Sequence, residues 1–209
     1  MSDDGVDMKK RRFLTATTSA VGLAGMGALA VGMVRYMGKS ERAEQVGAPI
    51  EADISKLLPG KLMIIEWRSQ PIWILKRTPD MINDMKILEE KKFLKDPDSK
   101  NNAQQPKYAE NKLRSIEKHK ETMVVIGLCT HLGCSPKQID KTAEHELGTE
   151  WLGGFLCACH GSKFDFAGRV YDGVPAGDNL KVPKHYYKGN NDSVIVIGED
   201  DPRAKGGAA

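Results

Sequence analysis

Aromatic residues are scarce in this chain, at 6%, and cysteines are scarcer still, four in 209 residues. A dominant charge sign is missing too. The 31 basic and 28 acidic residues leave a net charge of +3, too balanced for a nucleic-acid binder. No internal repeat is visible. With 40% hydrophobic and 28% charged residues, the composition excludes a polytopic membrane protein, a disordered tail and a collagen-like fibre. The length suits one domain of ordinary size plus something extra. A single membrane span survives these exclusions, because averages hide local runs. The few cysteines are concentrated: positions 129, 134, 157 and 159 fall in two tight windows. Disulfides, a metal site or both are then open.

Charge is also missing locally. From Phe13 to Val34 no residue is charged. That stretch is about 22 residues, or about 33 Å as a helix, against a hydrocarbon core of roughly 30 Å. Lys9, Lys10, Arg11 and Arg12 precede it, which favours a cytoplasmic N-terminus. Arg35, Lys39 and Arg42 follow, with Glu41 and Glu44 offsetting two of them. The block Lys10-Arg11-Arg12-Phe13-Leu14-Thr15 resembles a twin-arginine export signal. The alignment is imperfect: with Phe-Leu in its usual place, the twin is Lys10-Arg11 and Arg12 is the spacer. That route carries folded proteins, which suits a head that acquires a cofactor first. Three readings compete. A cleaved signal would use Ala28-Leu29-Ala30, a retained anchor would span 13–37, and a core helix would be buried. The run continues past the cleavage candidate and lacks a polar face, so the retained anchor is preferred. Residues 1–12 are then a cytoplasmic N-terminus. Residues 38–49, polar with small side chains, form a linker, either a solvated spacer or a hinge.

From Ile50 onward the signals are mostly β. Lys61–Trp67 and Pro71–Lys76 are short apolar runs split by Arg68-Ser69-Gln70, the spacing of a hairpin. Thr78-Pro79-Asp80 opens a helix that carries Met81, Ile82, Met85 and Leu88 at helical spacing. Residues 89–120, with Pro97 and Pro106, read as the end of that helix and then a surface loop. The basic–acidic mix at 86–120 reads as a solvated face. Met123–Leu128 is a buried strand, Trp151–Leu156 leads into the second cysteine window, and Val194–Ile197 is a last strand. Trp67, Trp73 and Trp151 are expected in the core. His119, His145 and His185 are expected at the surface or in loops, and the tail from Asp200 is expected to be loose.

Chemistry concentrates in Cys129-Thr130-His131-Leu132-Gly133-Cys134 and Cys157-Ala158-Cys159-His160-Gly161-Ser162. Each window follows a β-rich run, which puts candidate ligands on loops at strand ends. Two Cys and two His hold zinc or a two-iron cluster. Zinc leaves Cys134, Cys159, Gly133, Gly161 and Ser162 without a reason, and two bare disulfides leave His131 and His160 as coincidence. An iron–sulfur cluster accounts for the whole pattern best.

These windows resemble the Rieske iron–sulfur proteins of ubiquinol–cytochrome c reductases. The likeness extends over the basic N-terminus, the anchor, WRSQPIWILKRTP, GSKFDFAGR and GVPAGDNLKVP. It implies a mainly β fold: an antiparallel β-sandwich head over residues 50–209, with a cluster-binding subdomain whose loops span about 127–177. It implies one [2Fe–2S] cluster, with Cys129 and Cys157 on the buried iron and His131 and His160 on the outer one. It pairs Cys134 with Cys159 in a disulfide, which suits an oxidising periplasm. Ser162 would donate a hydroxyl to a bridging sulfide and raise the potential. Where relatives usually carry a tyrosine donor, this chain has Phe164, which implies a lower potential. Ubiquinol is the expected substrate, although a lower potential would also suit menaquinol. Gly173-Val174-Pro175-Ala176-Gly177 would cover the cluster from a third side. Gly177 stands where relatives often have a second proline, so this loop would be less rigid. Leu132 would sit at an exposed tip as a docking contact.

The resemblance further implies an electron carrier of the respiratory chain and a translocase subunit. It would be held in the bacterial inner membrane with its head in the periplasm. Its partners would be cytochrome b and a membrane cytochrome c subunit in a dimeric complex. His160 and His131 would be the reacting residues, His160 taking a proton as one electron enters. A Rieske ferredoxin, or the small Rieske subunit of another oxidoreductase, is the alternative. A zinc-stabilised interaction module is the non-redox one.

Overall fold

The computed structural model describes residues 5, 7–37, 47–142, 147–148, 150–189 and 191–203. The chain divides into two units, Met1–Gln45 and Val46–Ala209.

The first unit holds α1, Met8–Tyr36, a helix of 29 residues. Asp7 caps it, its side chain accepting from the Lys9 and Lys10 N–H groups at 3.0 and 3.3 Å. The helix starts before the uncharged run, so Lys9–Arg12 are helical. Cations oppose the dipole at a helix N-terminus, and the aspartate cap offsets part of that cost. The Thr15, Thr17 and Thr18 hydroxyls donate to the carbonyls of Arg11, Phe13 and Leu14. Such back-bonding satisfies polar side chains within an apolar run. No residue of α1 is buried. The helix is long and apolar enough to cross a membrane. Residues 38–46 of the expected linker lie outside the described residues.

The second unit contains three three-stranded antiparallel sheets. β1 (Ile50–Asp53) pairs with β9 (Val194–Ile197), which pairs with β8 (His185–Lys188). β2 (Leu62–Trp67), β3 (Gln70–Lys76) and β4 (Thr122–Ile126) form the second sheet. β5 (Lys137–Ile139), β6 (Gly154–Cys157) and β7 (Ser162–Phe164) form the third. The expected hairpin is β2–β3, paired from Leu62↔Leu75 to Trp67↔Gln70. Arg68 and Ser69 turn it with φ of 52° and 57°, the positive-φ geometry of a two-residue hairpin loop.

β3 and β4, the inner part of the second sheet, are buried on both faces. Ile72, Ile74, Val124 and Ile126 pack with Ala52, Ile195 and Ile197 of the β1–β9–β8 sheet. Trp73, Leu75, Met123 and Val125 pack with Phe155, Cys157 and Phe164 of the β5–β6–β7 sheet. Two buried faces explain why the apolar runs of β3 and β4 are near-continuous instead of alternating. The expected sandwich is the first two sheets, and the expected cluster-binding subdomain is the third. β1, β5, β7 and β8 are short and are not distinct in the sequence reading. Trp67, Trp73 and Trp151 are buried, as expected.

α2 (Pro79–Glu90) begins where expected, the Thr78 Oγ1 accepting from the Met81 N–H at 3.3 Å with Pro79 in the first turn. Beyond it, the charged side chains of 91–120 are exposed or partly exposed as expected, and Arg114 is the exception. Two 3₁₀ turns, Lys107–Ala109 and Glu117–His119, are its regular structure, yet Ser99, Gln105, Ala109, Arg114 and Ser115 are buried. A buried segment without strands must satisfy its carbonyls some other way. The Gln105 amide donates to Ser99 O and Asn101 O, and the Asn111 amide donates to Tyr108 O and Ser115 O. The Gln105 and Asn111 amides are spent inward, while the charges other than Arg114 stay outside. His185 is a second correction: it lies in β8, 2% exposed. Burial pushes its imidazole down to about 4. His119 is half-buried, stacked on Tyr187 at 3.7 Å and 3.2 Å from Asp192. His145 lies outside the described residues.

Candidate metal centre

Two loops build the centre. The first, Cys129–Cys134, leaves β4 through Gly127 and Leu128. A Cβ on Gly127 would sit 2.1 Å from the Trp73 indole, so only glycine lets the strand pass that buried ring. The second loop joins β6 to β7, with Cys157 paired opposite Ser162.

Both loops close the same way. The Gly133 N–H donates to Cys129 O at 2.9 Å, and the Gly161 N–H donates to Cys157 O at 2.9 Å. Gly133 and Gly161 hold φ of 81° and 78°, and a Cβ on either would meet nothing within 4 Å. Their role is therefore conformational: a left-handed residue ends each turn.

Cys134 and Cys159 form a disulfide that ties the loops. The Sγ atoms of Cys134, Cys157 and Cys159 all lie within 4.8 Å of one another. Two of those sulfurs are spent in the disulfide, which leaves Cys129 and Cys157 as the free thiols, both buried. Burial pushes the Cys157 thiol up, and the facing Cys129 thiol adds to this. The N–H groups of Cys159 and His160 pull the other way.

The His131 and His160 rings lie 4.7 Å apart at 89°. His160 is exposed and His131 half-buried. The His131 Nδ1 is buried without a hydrogen-bond partner, as suits a nitrogen whose lone pair is kept for a metal. Two free buried thiols and an unpartnered imidazole nitrogen fit a two-iron cluster with mixed ligands. The two thiols are buried, and of the two imidazoles His160 is the more exposed.

Ser162 is fully buried. Its Oγ accepts from the Ala176 N–H at 3.1 Å, so its own O–H is left to donate. Ala176 belongs to the expected cover loop, 173–177. Thr130 ties that loop to the first one, its hydroxyl donating to Asp178 O at 2.6 Å. Sequence reasoning missed the Thr130 tie, for which a bare threonine gives no signal. Phe164 is fully buried, opposite Phe155 in the register. Leu132 is 71% exposed, as expected for a loop tip.

Comparison with known proteins adds to this geometry. Residues 90–184 match the family described as Rieske [2Fe-2S] domain. The chain is 48% identical over 200 residues to the ubiquinol-cytochrome c reductase iron-sulfur subunit of Allochromatium vinosum, covering 96% of this chain and 93% of that one. It is 35% identical over 199 residues to the protein of the same name from Blastochloris viridis, covering 94% and 98%. A chain of the solved structure "Hyperthermophilic respiratory Complex III" is 22% identical, with a TM-score of 0.46 over 88% of this chain and 98% of that one.

Proposed function

The chain belongs to the Rieske iron–sulfur subunits of ubiquinol–cytochrome c reductase, and from that premise we propose that it takes one electron from a quinol and passes it to a membrane cytochrome c subunit. Its cofactor is a [2Fe–2S] cluster, which supplies a one-electron acceptor whose potential rises when two imidazoles replace two thiolates.

The observation that carries this reading is the donor set: two free buried thiols and an unpartnered buried imidazole nitrogen on loops joined by a disulfide. In it, Cys129 and Cys157 would hold one iron through their thiolates, and His131 and His160 the other through their imidazoles. The thiolates stay among backbone N–H donors, where negative charge is tolerated. The Ser162 hydroxyl, free to donate, would offer its hydrogen to the cluster and favour added negative charge there.

His160 is exposed and presents its ring to a quinol docked on cytochrome b at the outer quinol site. It accepts a hydrogen bond and then a proton from the quinol, which gives one electron to this chain and the second to cytochrome b. His160 would hold that proton while the electron leaves the quinol. The exposed Leu132 contacts cytochrome b during docking. The head then moves on residues 38–49 to the cytochrome c subunit. α1 anchors the chain in the bacterial inner membrane, with the N-terminus cytoplasmic, the head periplasmic and export by the twin-arginine route. Quinol oxidation at the periplasmic face makes the dimeric complex a translocase. Ubiquinol is the favoured substrate.

Electron paramagnetic resonance of the reduced protein in its membrane complex tests the ligand set. A rhombic Rieske signal is expected, and it should vanish in His160→Gln. A colourless, redox-silent protein would mean zinc or bare thiols in its place.

A further inference from the structure

Immediately after Phe164 the chain makes a tight turn, Asp165–Arg169. It is closed by the Asp165 N–H to Arg169 O and the Gly168 N–H to Asp165 O, both 2.9 Å. Three guanidiniums converge on these five residues. The Arg169 Nε donates to Asp165 Oδ2 at 2.7 Å. The Arg114 Nη1 donates to Ala167 O and Gly168 O at 3.4 and 3.3 Å. The Arg77 Nη1 donates to Phe166 O at 3.4 Å. All three arginines are nearly inaccessible, Arg77 at 2%, Arg114 at 0% and Arg169 at 1% exposed.

Their countercharge is thin. Asp165, at 0% exposed, is the one carboxylate beside them buried to the same degree among the described residues. Glu89 comes within 3.5 Å of Arg169 but is partly exposed and shared with Lys112. Asp84 is paired with Lys141. The other guanidinium contacts are to neutral oxygens, among them the carbonyls of Leu113, Lys120, Gln104, Met85 and Pro97 and the side chains of Ser115 and Gln105, while the Nε of Arg77 and of Arg114 is buried without a partner. Carbonyls satisfy hydrogen bonds but cancel no net charge. Burial lowers Arg77 and Arg114 only to about 10, so both remain cations at neutral pH. An imbalance of about two buried positive charges is costly for stability alone.

The turn lies close behind the candidate centre. Asp165 is three residues along the chain from Ser162, about 10 Å at strand rise. Fields between buried groups at that range are weakly screened by solvent and salt. A group that gains negative charge on reduction would feel them. We propose that Arg77, Arg114 and Arg169 form a positively charged cage, only partly neutralised by Asp165, that favours the reduced cluster and raises its potential. This rests on the [2Fe–2S] reading of the loops. The arginines act through space and touch no reacting atom.

One buried charge at this distance shifts the one-electron equilibrium on the order of tenfold, which is about 59 mV. Redox potentiometry on the purified complex, followed by electron paramagnetic resonance, reads this directly. Asp165→Asn keeps the side chain's shape and removes a negative charge, so the midpoint should rise by up to about 59 mV. Arg114→Gln should lower it by a similar amount, and Arg114→Lys should stay near wild type. Glu89→Gln, at the partly exposed rim, should raise it less. It gives a result even where a core variant fails to assemble. Opposite signs for acid and base removal are the signature of charge, which disturbed packing does not produce. A wild-type line shape with unmoved midpoints in Asp165→Asn and Glu89→Gln would overturn the cage. Equal falls in Arg114→Gln and Arg114→Lys would do so as well. A wild-type protein without a Rieske signal would instead sink the reading of the loops.

Discussion

The two loops of the centre share one backbone device and differ in what carries them. Each ends its turn on a left-handed glycine whose N–H returns to the leading cysteine's carbonyl at 2.9 Å. The first loop leaves β4, in which every residue is buried, and Thr130 pins it to Asp178. The second is the tip of the short β6–β7 hairpin. Its histidine is exposed, while that of the first is half-buried. The turn geometry therefore places a thiol and an imidazole in each loop. The supporting strand decides how far the imidazole reaches outward. His160 is the more exposed ring and His131 the more enclosed one.

The most severe way to break the pairing is to cut the link between the loops. Cys134→Ser and Cys159→Ser each remove the same bond, which closes a separation of 25 residues. Each is expected to lose about 3 kcal/mol of stability, with cluster loss on mild heating. Visible absorption against temperature reads this. The two variants and the double variant should behave alike, and clearly different melting would show that the loops are not held as one unit.

A smaller test asks whether the two turns are equivalent. Gly133→Ala and Gly161→Ala meet no neighbour, so each is expected to cost only the left-handed strain, about 1–2 kcal/mol. Denaturant midpoints of the two variants should fall by the same amount. A cost confined to one loop would show that its glycine serves something other than the turn.

How much of this was legible beforehand follows from the same physics. The paired windows carried the centre, because Cys and His at that spacing have few other uses. β3 and β4 were visible as apolar runs, since both their faces are buried. β5 and β7, at three residues each, are too short for a periodic signal. In 91–120 charge does mark a solvated face, with Arg114 the exception. Arg114 looks like a surface residue until its donors are counted against the carbonyls of a buried, irregular chain. His185 misled likewise: nothing in Lys184-His185-Tyr186 shows that β8 faces the core.

The loops can also be compared through the groups that adjust them from β7. Ser162 is held by the Ala176 N–H with its hydroxyl hydrogen free, whereas Phe164 packs fully buried without a donor. Ser162→Ala is expected to lower the cluster midpoint, and Phe164→Tyr to raise it. Each shift should approach 59 mV, a tenfold change in a one-electron equilibrium. Potentiometry on the intact complex measures both. A midpoint that stays put in Phe164→Tyr would mean that the second loop's cysteine has no use for another donor.

The mildest test concerns the tie that the second loop lacks. The Thr130 hydroxyl donates to Asp178 O at 2.6 Å and is the first loop's own link to the cover. Thr130→Val keeps the branched shape and removes the donor, leaving one carbonyl to find water. The expected cost is about 1 kcal/mol. Since Ser162 independently holds the cover at Ala176, the loop should loosen at its Asp178 end and stay closed at the other. Hydrogen exchange should therefore quicken at Asp178 and Asn179 but not at Ala176. Faster exchange at all three would show that the cover depends on the first loop alone, and the even division of support between the loops would fail.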